Sequence, residues 1–404
     1  MRVLLAAVIL AVTVLAAPAA LPLPVEETRA LWVVRTSLTS PDRVHAMVEA
    51  ARASGFNTLF VQVRGRGDAY YDSHVEPRAV SLGVGPAAFD PLAQVIREAG
   101  PAGLAVHAWI NVNLVADAAD LPSAGKHVLR RHPEWLMLPR DLVPALGRMN
   151  PKDPRYVARL ASWTKSHAST VEGLYTSPVH PGAVDHVLHI IDDLVGRYAV
   201  DGVHLDYVRY PGPNFDFSRS VVDIFADSVT RSLPKRTKQE LKRLARTNPL
   251  IYADRYPATW QEFRRGRMTS LLRRVGARIE ARRAGTVVSA AVVPDPVLAR
   301  ESRGQDWPAW MRQGLLDVLC PMVYTTDSET FRDQVDGVLA ASAGRPVFAG
   351  VGAYRLTHDQ TVRHVTLARE AGADGFVLFS YDSLVAPERG PGYLAHIGRA
   401  VSGR

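Results

Sequence analysis

Eight short runs rich in β-branched and aromatic residues recur along the chain, and segments with helical periodicity lie between them. The strand candidates are residues 29–34, 57–64, 104–111, 202–208, 286–293, 318–324, 346–351 and 375–381. Helical patterns fit 41–54, 91–99, 183–198, 260–284, 308–314, 329–341 and 359–371. Ser40 is positioned to cap the first helix and Gly55 to end it. Eight strand-then-helix units predict a closed parallel (β/α)8 TIM barrel wrapped by helices. An open doubly wound sheet is the rival, but it often carries a glycine-rich phosphate loop after its first strand. Here the first strand runs into Arg35-Thr36-Ser37-Leu38, and Gly65-Arg66-Gly67 after the second lacks the spacing of such a loop. A length of 404 residues fits one barrel with insertions, spanning 27–404.

Two connections are long: Val112 to Asp201 joins strands three and four, and Arg209 to Gly285 joins strands four and five. Loops that follow barrel strands lie on the catalytic face, so these insertions point to strand four as the centre of chemistry. Strand side chains alternate between faces. If Val203 and Leu205 pack under helices, Gly202, His204 and Asp206 face inward with Asp206 uppermost. A carboxylate there is where this fold keeps catalytic groups. The bland alternative is an aspartate paired with Arg64 or Arg209. The same parity brings Arg64, His107, Trp109, Asn111, Tyr324, Tyr381 and Asp382 toward one rim. Aromatic faces and planar polar groups converging on a barrel mouth suit a sugar. His204, one inward step below Asp206, is expected to orient it rather than to hold a metal.

The N-terminus reads differently. Met1-Arg2 precedes an apolar run from Val3 to Ala16 broken only by Thr13, and Ala17-Pro18-Ala19 offers small residues for cleavage. This is the pattern of a secretory signal peptide over residues 1–20, and it implies a secreted or cell-envelope protein. An uncleaved anchor is the alternative. The single cysteine, Cys320, sits in an apolar stretch and reads as a buried hydrophobe. The net charge of +8 owes much to residues 231–246. Such a run usually marks a solvated helix face, and the functional reading is attraction to an acidic wall polymer or membrane surface. No nucleic-acid motif accompanies it. No cofactor loop and no Cys/His metal spacing is present, and strand one offers no His-x-His for a metal-dependent hydrolase.

Several motifs carry a resemblance to a known family. They include Gln62-Val63-Arg64 with Asp68, Tyr71 and Ser73, and His107-Ala108-Trp109. Others are Asp201-Gly202-Val203-His204-Leu205-Asp206-Tyr207 followed by Arg209-Tyr210-Pro211, and Pro321-Met322 with Tyr324. Together they resemble the glycosyl hydrolase-like family 10 proteins. The resemblance implies hydrolysis of cell-envelope glycans, and it places Asp68, Arg209 and Tyr210 beside the substrate. Many members of that family carry two consecutive aspartates where this chain has Asp206-Tyr207.

Glycoside hydrolysis normally uses two carboxyl groups. Asp206 is the first. Candidates for the second are Asp68, Asp295, Asp327 and Asp382, with Asp327 favoured and Asp295 next. A barrel that binds glycan without cleaving it is the competing reading.

Overall fold

The computed structural model describes residues 26–83 and 89–402, so the expected signal segment lies outside the described residues. Eight strands close into a parallel barrel in sequence order. They are β1 (Thr28–Val33), β2 (Thr58–Arg64), β3 (Ala105–Asn111), β4 (Gly202–Asp206), β5 (Val287–Val292), β6 (Val318–Val323), β7 (Phe348–Val351) and β8 (Gly375–Phe379). β8 pairs with β1 and completes the ring. The architecture is a (β/α)8 TIM barrel. No helix among the described residues is long and apolar enough to cross a membrane.

Parity builds two cores from each strand. Val203 and Leu205 of β4 join the large cluster between barrel and helices. Inside the barrel, Trp32, Phe60, Trp109, Cys320 and Val377 form a separate cluster. Cys320 is fully buried there.

The closed end of the barrel is stitched by a recurring device. A residue just before each even-numbered strand accepts a hydrogen bond from a backbone N–H at the start of the preceding odd one or, for β7, from the residue before it. Asn57 takes the Arg29 N–H at 2.9 Å, and Asp201 takes that of Val106 at 2.7 Å. Asp317 takes the Val288 N–H and Asp374 that of Val347, both at 2.9 Å. These side chains satisfy backbone donors that the ladder leaves open at its edge.

The two long connections pack together over the opposite end. A ribbon of Leu114–Ala116 paired antiparallel with Leu174–Tyr175 follows β3. Helices Arg219–Thr230, Lys235–Leu244 and Pro257–Arg282 follow β4. Their apolar faces form a second core that includes Leu129, Phe225 and Trp260. Lys235, Arg236, Lys242 and Arg243 are exposed on their helix, whose one buried residue is Leu241.

Gly202 is required inside the barrel, because a Cβ there would lie 2.4 Å from His107 Nδ1, against the imidazole ring. Gly202→Ala should therefore destabilise the fold by about 1–3 kcal/mol, the usual cost of overpacking. Chemical denaturation measures this, and an unchanged midpoint would show that the ring has room to move.

Candidate active site

β4 stops at Asp206 because Tyr207 adopts φ +52°. An aromatic residue in that region is held there against its preference by its surroundings. The turn brings the Tyr207 N–H onto Asp206 Oδ1 at 2.6 Å. It also sets the Arg209 guanidinium 4.4 Å from the Tyr207 ring centre. Arg209 in turn reaches Glu172 Oε1 at 3.3 Å, and Tyr175 donates to Glu172 Oε2 at 2.7 Å. Thus the insertion after β3 brings a carboxylate and a phenol to the rim beside Asp206.

Above the barrel's inner core lies a cavity of about 380 Å³. Trp32, Trp109, Asn111, Asp206, Arg209 and Tyr324 are among its walls, and Asp206 is the one carboxylate among the described residues lining it. Tyr324 stacks on Phe379 with ring centres 5.5 Å apart, and Trp109 donates from Nε1 to Asn111 Oδ1 at 3.0 Å.

The floor is uncharged. Trp32 Nε1 donates to His204 Nε2 at 3.0 Å, and His204 Nδ1 lies 2.9 Å from Ser289 Oγ. An indole N–H only donates, so Nε2 accepts and the proton resides on Nδ1. Burial pushes the His204 pKa well below the ordinary histidine value, with His107 adding to the shift. His107 itself is lowered to about 4 by burial. Over this neutral layer, burial raises the pKa of Asp206, with Glu172 acting in the same direction. Arg209, the Tyr207 N–H and the Trp109 indole pull the other way.

The family model described as glycosyl hydrolase-like 10 matches residues 27–351. The chain belongs to the glycosyl hydrolase-like 10 family. Among curated relatives, the glycosyl hydrolase YngK of Bacillus subtilis is 28% identical over 171 residues, covering 41% of this chain and 27% of its own length. The glycosyl hydrolase DigH of Escherichia coli is 25% identical over 292 residues, covering 67% of this chain and 55% of its own. The matches thus span about a quarter and about half of these longer relatives. Among solved structures, the PgaB (BpsB) glycoside hydrolase domain from Bordetella bronchiseptica shares the fold with a TM-score of 0.63 at 15% identity. That match covers 94% of this chain and 99% of the domain. A cold-adapted β-galactosidase from Rahnella sp. R3 shares it at 0.61 and 13%, covering 94% and 56%.

The structure brings together Asp206, Trp109, Asn111, Arg209 and Tyr324 from the residues expected at the site. It sends the others elsewhere. Arg64, in the glycosyl hydrolase-like 10 signature of β2, turns into the barrel wall. It pairs with buried Glu76 at 3.0 Å and donates to the Asn111 carbonyl. His107 packs against Gly202 and Phe60 below the mouth. His204 uses both ring nitrogens on Trp32 and Ser289, so it builds the floor and does not orient Asp206 by hydrogen bonding. The Tyr210 hydroxyl is buried against the Arg264 carbonyl.

The expected second carboxyls are also corrected. Asp295 caps the helix Pro296–Arg303, accepting from the Val297 and Leu298 N–H groups. Asp327 caps the helix Ser328–Ala341 through the Thr330 N–H. Neither lines the mouth cavity. Asp382 accepts from the Val34 N–H and the Thr36 and Ser37 hydroxyls, pinning the turn after β1. Tyr381 opens a short helix capped by Ser380 and is buried in the outer core. Asp68 lines a neighbouring cavity, where it accepts the Arg66 N–H at 2.9 Å.

Sequence reasoning missed Trp32, Phe379, Tyr207 and Glu172 as parts of the site. Inward parity on the first and eighth strands would have found Trp32 and Phe379. Nothing local marks Glu172, which reaches the rim through the fold of a long insertion.

The Arg64–Glu76 pair gives a direct test of its structural role. Burial opposes ionisation of Glu76, but Arg64 and His186 outweigh it and hold the carboxyl at about 2. Removing one partner of such a buried pair typically costs about 3–5 kcal/mol. Arg64→Met should therefore lower stability by that order in denaturant titration. A loss of glycan affinity with stability intact would return Arg64 to the substrate site.

Proposed function

We propose that the protein is a glycoside hydrolase acting on a cell-envelope or extracellular polysaccharide, with the glycan strands of peptidoglycan as the first substrate to try. The observation that carries this reading is Asp206: a buried carboxyl with a raised pKa, set in a cavity walled by Trp32, Trp109 and Tyr324. A carboxyl whose pKa is raised is biased toward the protonated form that can donate to a glycosidic oxygen as the bond breaks. Aromatic rings beside it offer stacking faces for pyranose rings. Asn111 and Arg209 supply polar contacts from the same wall. On this reading Glu172, which lies outside the cavity wall but contacts Arg209 on it, is the partner carboxylate that activates water or stabilises positive charge at the anomeric carbon, positioned by Arg209 and Tyr175. The names of the curated relatives support the activity class. Export through the segment 1–20 and attraction of the exposed basic helix to an acidic envelope polymer would bring the enzyme to such a substrate.

A glycan-binding barrel without turnover is the second reading. It is favoured by the presence of a single carboxylate among the described residues lining the cavity. Asp206→Asn separates the two when cleavage of purified cell-wall glycan is followed by mass spectrometry of the products. For the hydrolase, the substitution should lower kcat by at least about a hundredfold, the scale of general acid catalysis, with binding preserved. Wild-type protein that binds glycan without releasing products would establish the binding module.

The acid role also fixes a pH dependence. Asp206 works while protonated, so turnover should fall as pH rises through its raised pKa. Arg209 holds that pKa down. Arg209→Gln should therefore move the alkaline limb of the kcat profile to higher pH, whatever its effect on KM. A limb that stays in place or moves to lower pH would contradict the assignment.

A further inference from the structure

Beside the mouth lies a second cavity of about 350 Å³, walled partly by Asp68, Arg78, Asp117, Asp120 and His127. Arg35 and Arg66 line both cavities, so the two adjoin along this pair of guanidinium groups. Arg66 belongs to the turn Gly65-Arg66-Gly67 after β2, and that turn is fixed on every side. The Gly65 carbonyl accepts from Asn111 Nδ2 at 2.8 Å, and the Arg66 N–H donates to Asp68 at 2.9 Å. His127 Nδ1 accepts the Leu129 N–H, so its proton lies on Nε2, which donates to the Arg66 carbonyl at 2.7 Å.

Gly67 is needed for this arrangement, and Gly65 leaves room for the Arg35 side chain. A Cβ on Gly65 would lie 2.6 Å from Arg35 Cδ. Gly67 has φ +72°, and a Cβ there would lie 2.7 Å from His127 Nε2. The turn Gly65-Arg66-Gly67 is thus held by three hydrogen bonds, two of them on the Arg66 backbone. Its side chain, in contrast, makes no hydrogen bond or ion pair among the described residues, and its Nε is buried without a partner. Arg35 donates to Gln62 Oε1 at 2.9 Å and has no carboxylate partner among the described residues. A half-buried guanidinium with a rigid base and open donors is preorganised for an anion.

We propose that Arg66, with Arg35, binds a carboxylate carried by a sugar that occupies the second cavity, next to the ring held beside Asp206. The proposal rests on the glycoside hydrolase reading and narrows its substrate to acidic glycans. Three carboxylates also line the second cavity: Asp117 and Asp120, which are exposed, and Asp68, which is engaged by the Arg66 N–H. Their charges repel a singly charged carboxylate less than a doubly charged phosphate, which favours the carboxylate as the anion.

The test compares peptide-free peptidoglycan strands with the same strands after their carboxyl groups are reduced to alcohols. Wild-type protein should prefer the carboxylated strands in kcat/KM. Arg66→Gln should reduce that preference about tenfold, as expected for loss of a charge-assisted hydrogen bond, with the change in KM rather than kcat. Arg66→Lys, which keeps the charge without the fork, should fall between. Equal loss on both substrates, or no wild-type preference, overturns the proposal while leaving the hydrolase reading in place. Calorimetry of soluble fragments of both strand types with Asp206→Asn protein separates the two ideas. Salt-sensitive binding of the carboxylated fragment that requires Arg66, together with wild-type protein that cleaves neither polymer, would keep the anion site and end the hydrolase reading. Fragment binding indifferent to carboxyl reduction would end the anion site.

Discussion

A neutral histidine closes the barrel beneath the mouth, and the chemistry above depends on it. Trp32 donates to one nitrogen of His204 and Ser289 lies at the other, so the ring is fully engaged without carrying charge. Phe60 stacks on it with ring centres 4.6 Å apart. A protonated imidazole in that position would stabilise a carboxylate above it. The neutral one offers no such compensation, so burial of Asp206 is offset only from the rim, by Arg209, the Tyr207 N–H and the Trp109 indole. The raised pKa of Asp206 is thus built from below by uncharged rings and tuned from the side by Arg209.

The surrounding polar groups act mostly as fixtures. Arg64, Glu76 and His186 tie the segment after β2 to the helix Pro181–Arg197. Asp382 fastens the turn after β1, and Asp295 and Asp327 begin helices. Asn111 links three parts of the mouth, accepting from Trp109 and Gln62 and donating to Gly65. The long insertion after β3 adds Glu172 and Tyr175, so the rim is completed by residues far from β4 in sequence.

Much of this was legible in the sequence where a strict period governs side-chain direction. Alternation on the third and fourth strands placed Trp109, Asn111 and Asp206 correctly because those strands keep their register to the rim. On the eighth strand, alternation was extended too far: Ser380 starts a helix with a capping box, which carries Tyr381 and Asp382 away from the mouth. Asp295 and Asp327 were misread because a loop aspartate before a helix serves equally well as a cap. Arg64 was misread because parity gives a direction but not a partner, and Glu76 was waiting in the following loop. Glu172 had no local signal, since its position depends on how some ninety residues of insertion fold back, a question that periodicity does not address.

The central claim concerns the protonation of one carboxyl above an uncharged floor. Carbon-13 NMR titration of the aspartate carboxyl carbons measures it directly, with the Asp206 resonance identified by its absence in the Asp206→Asn protein. The account predicts a midpoint clearly above the unperturbed aspartate value of about 3.9. A midpoint at or below that value would show that Arg209 and the Tyr207 N–H outweigh burial, and Asp206 could not serve as the proton donor.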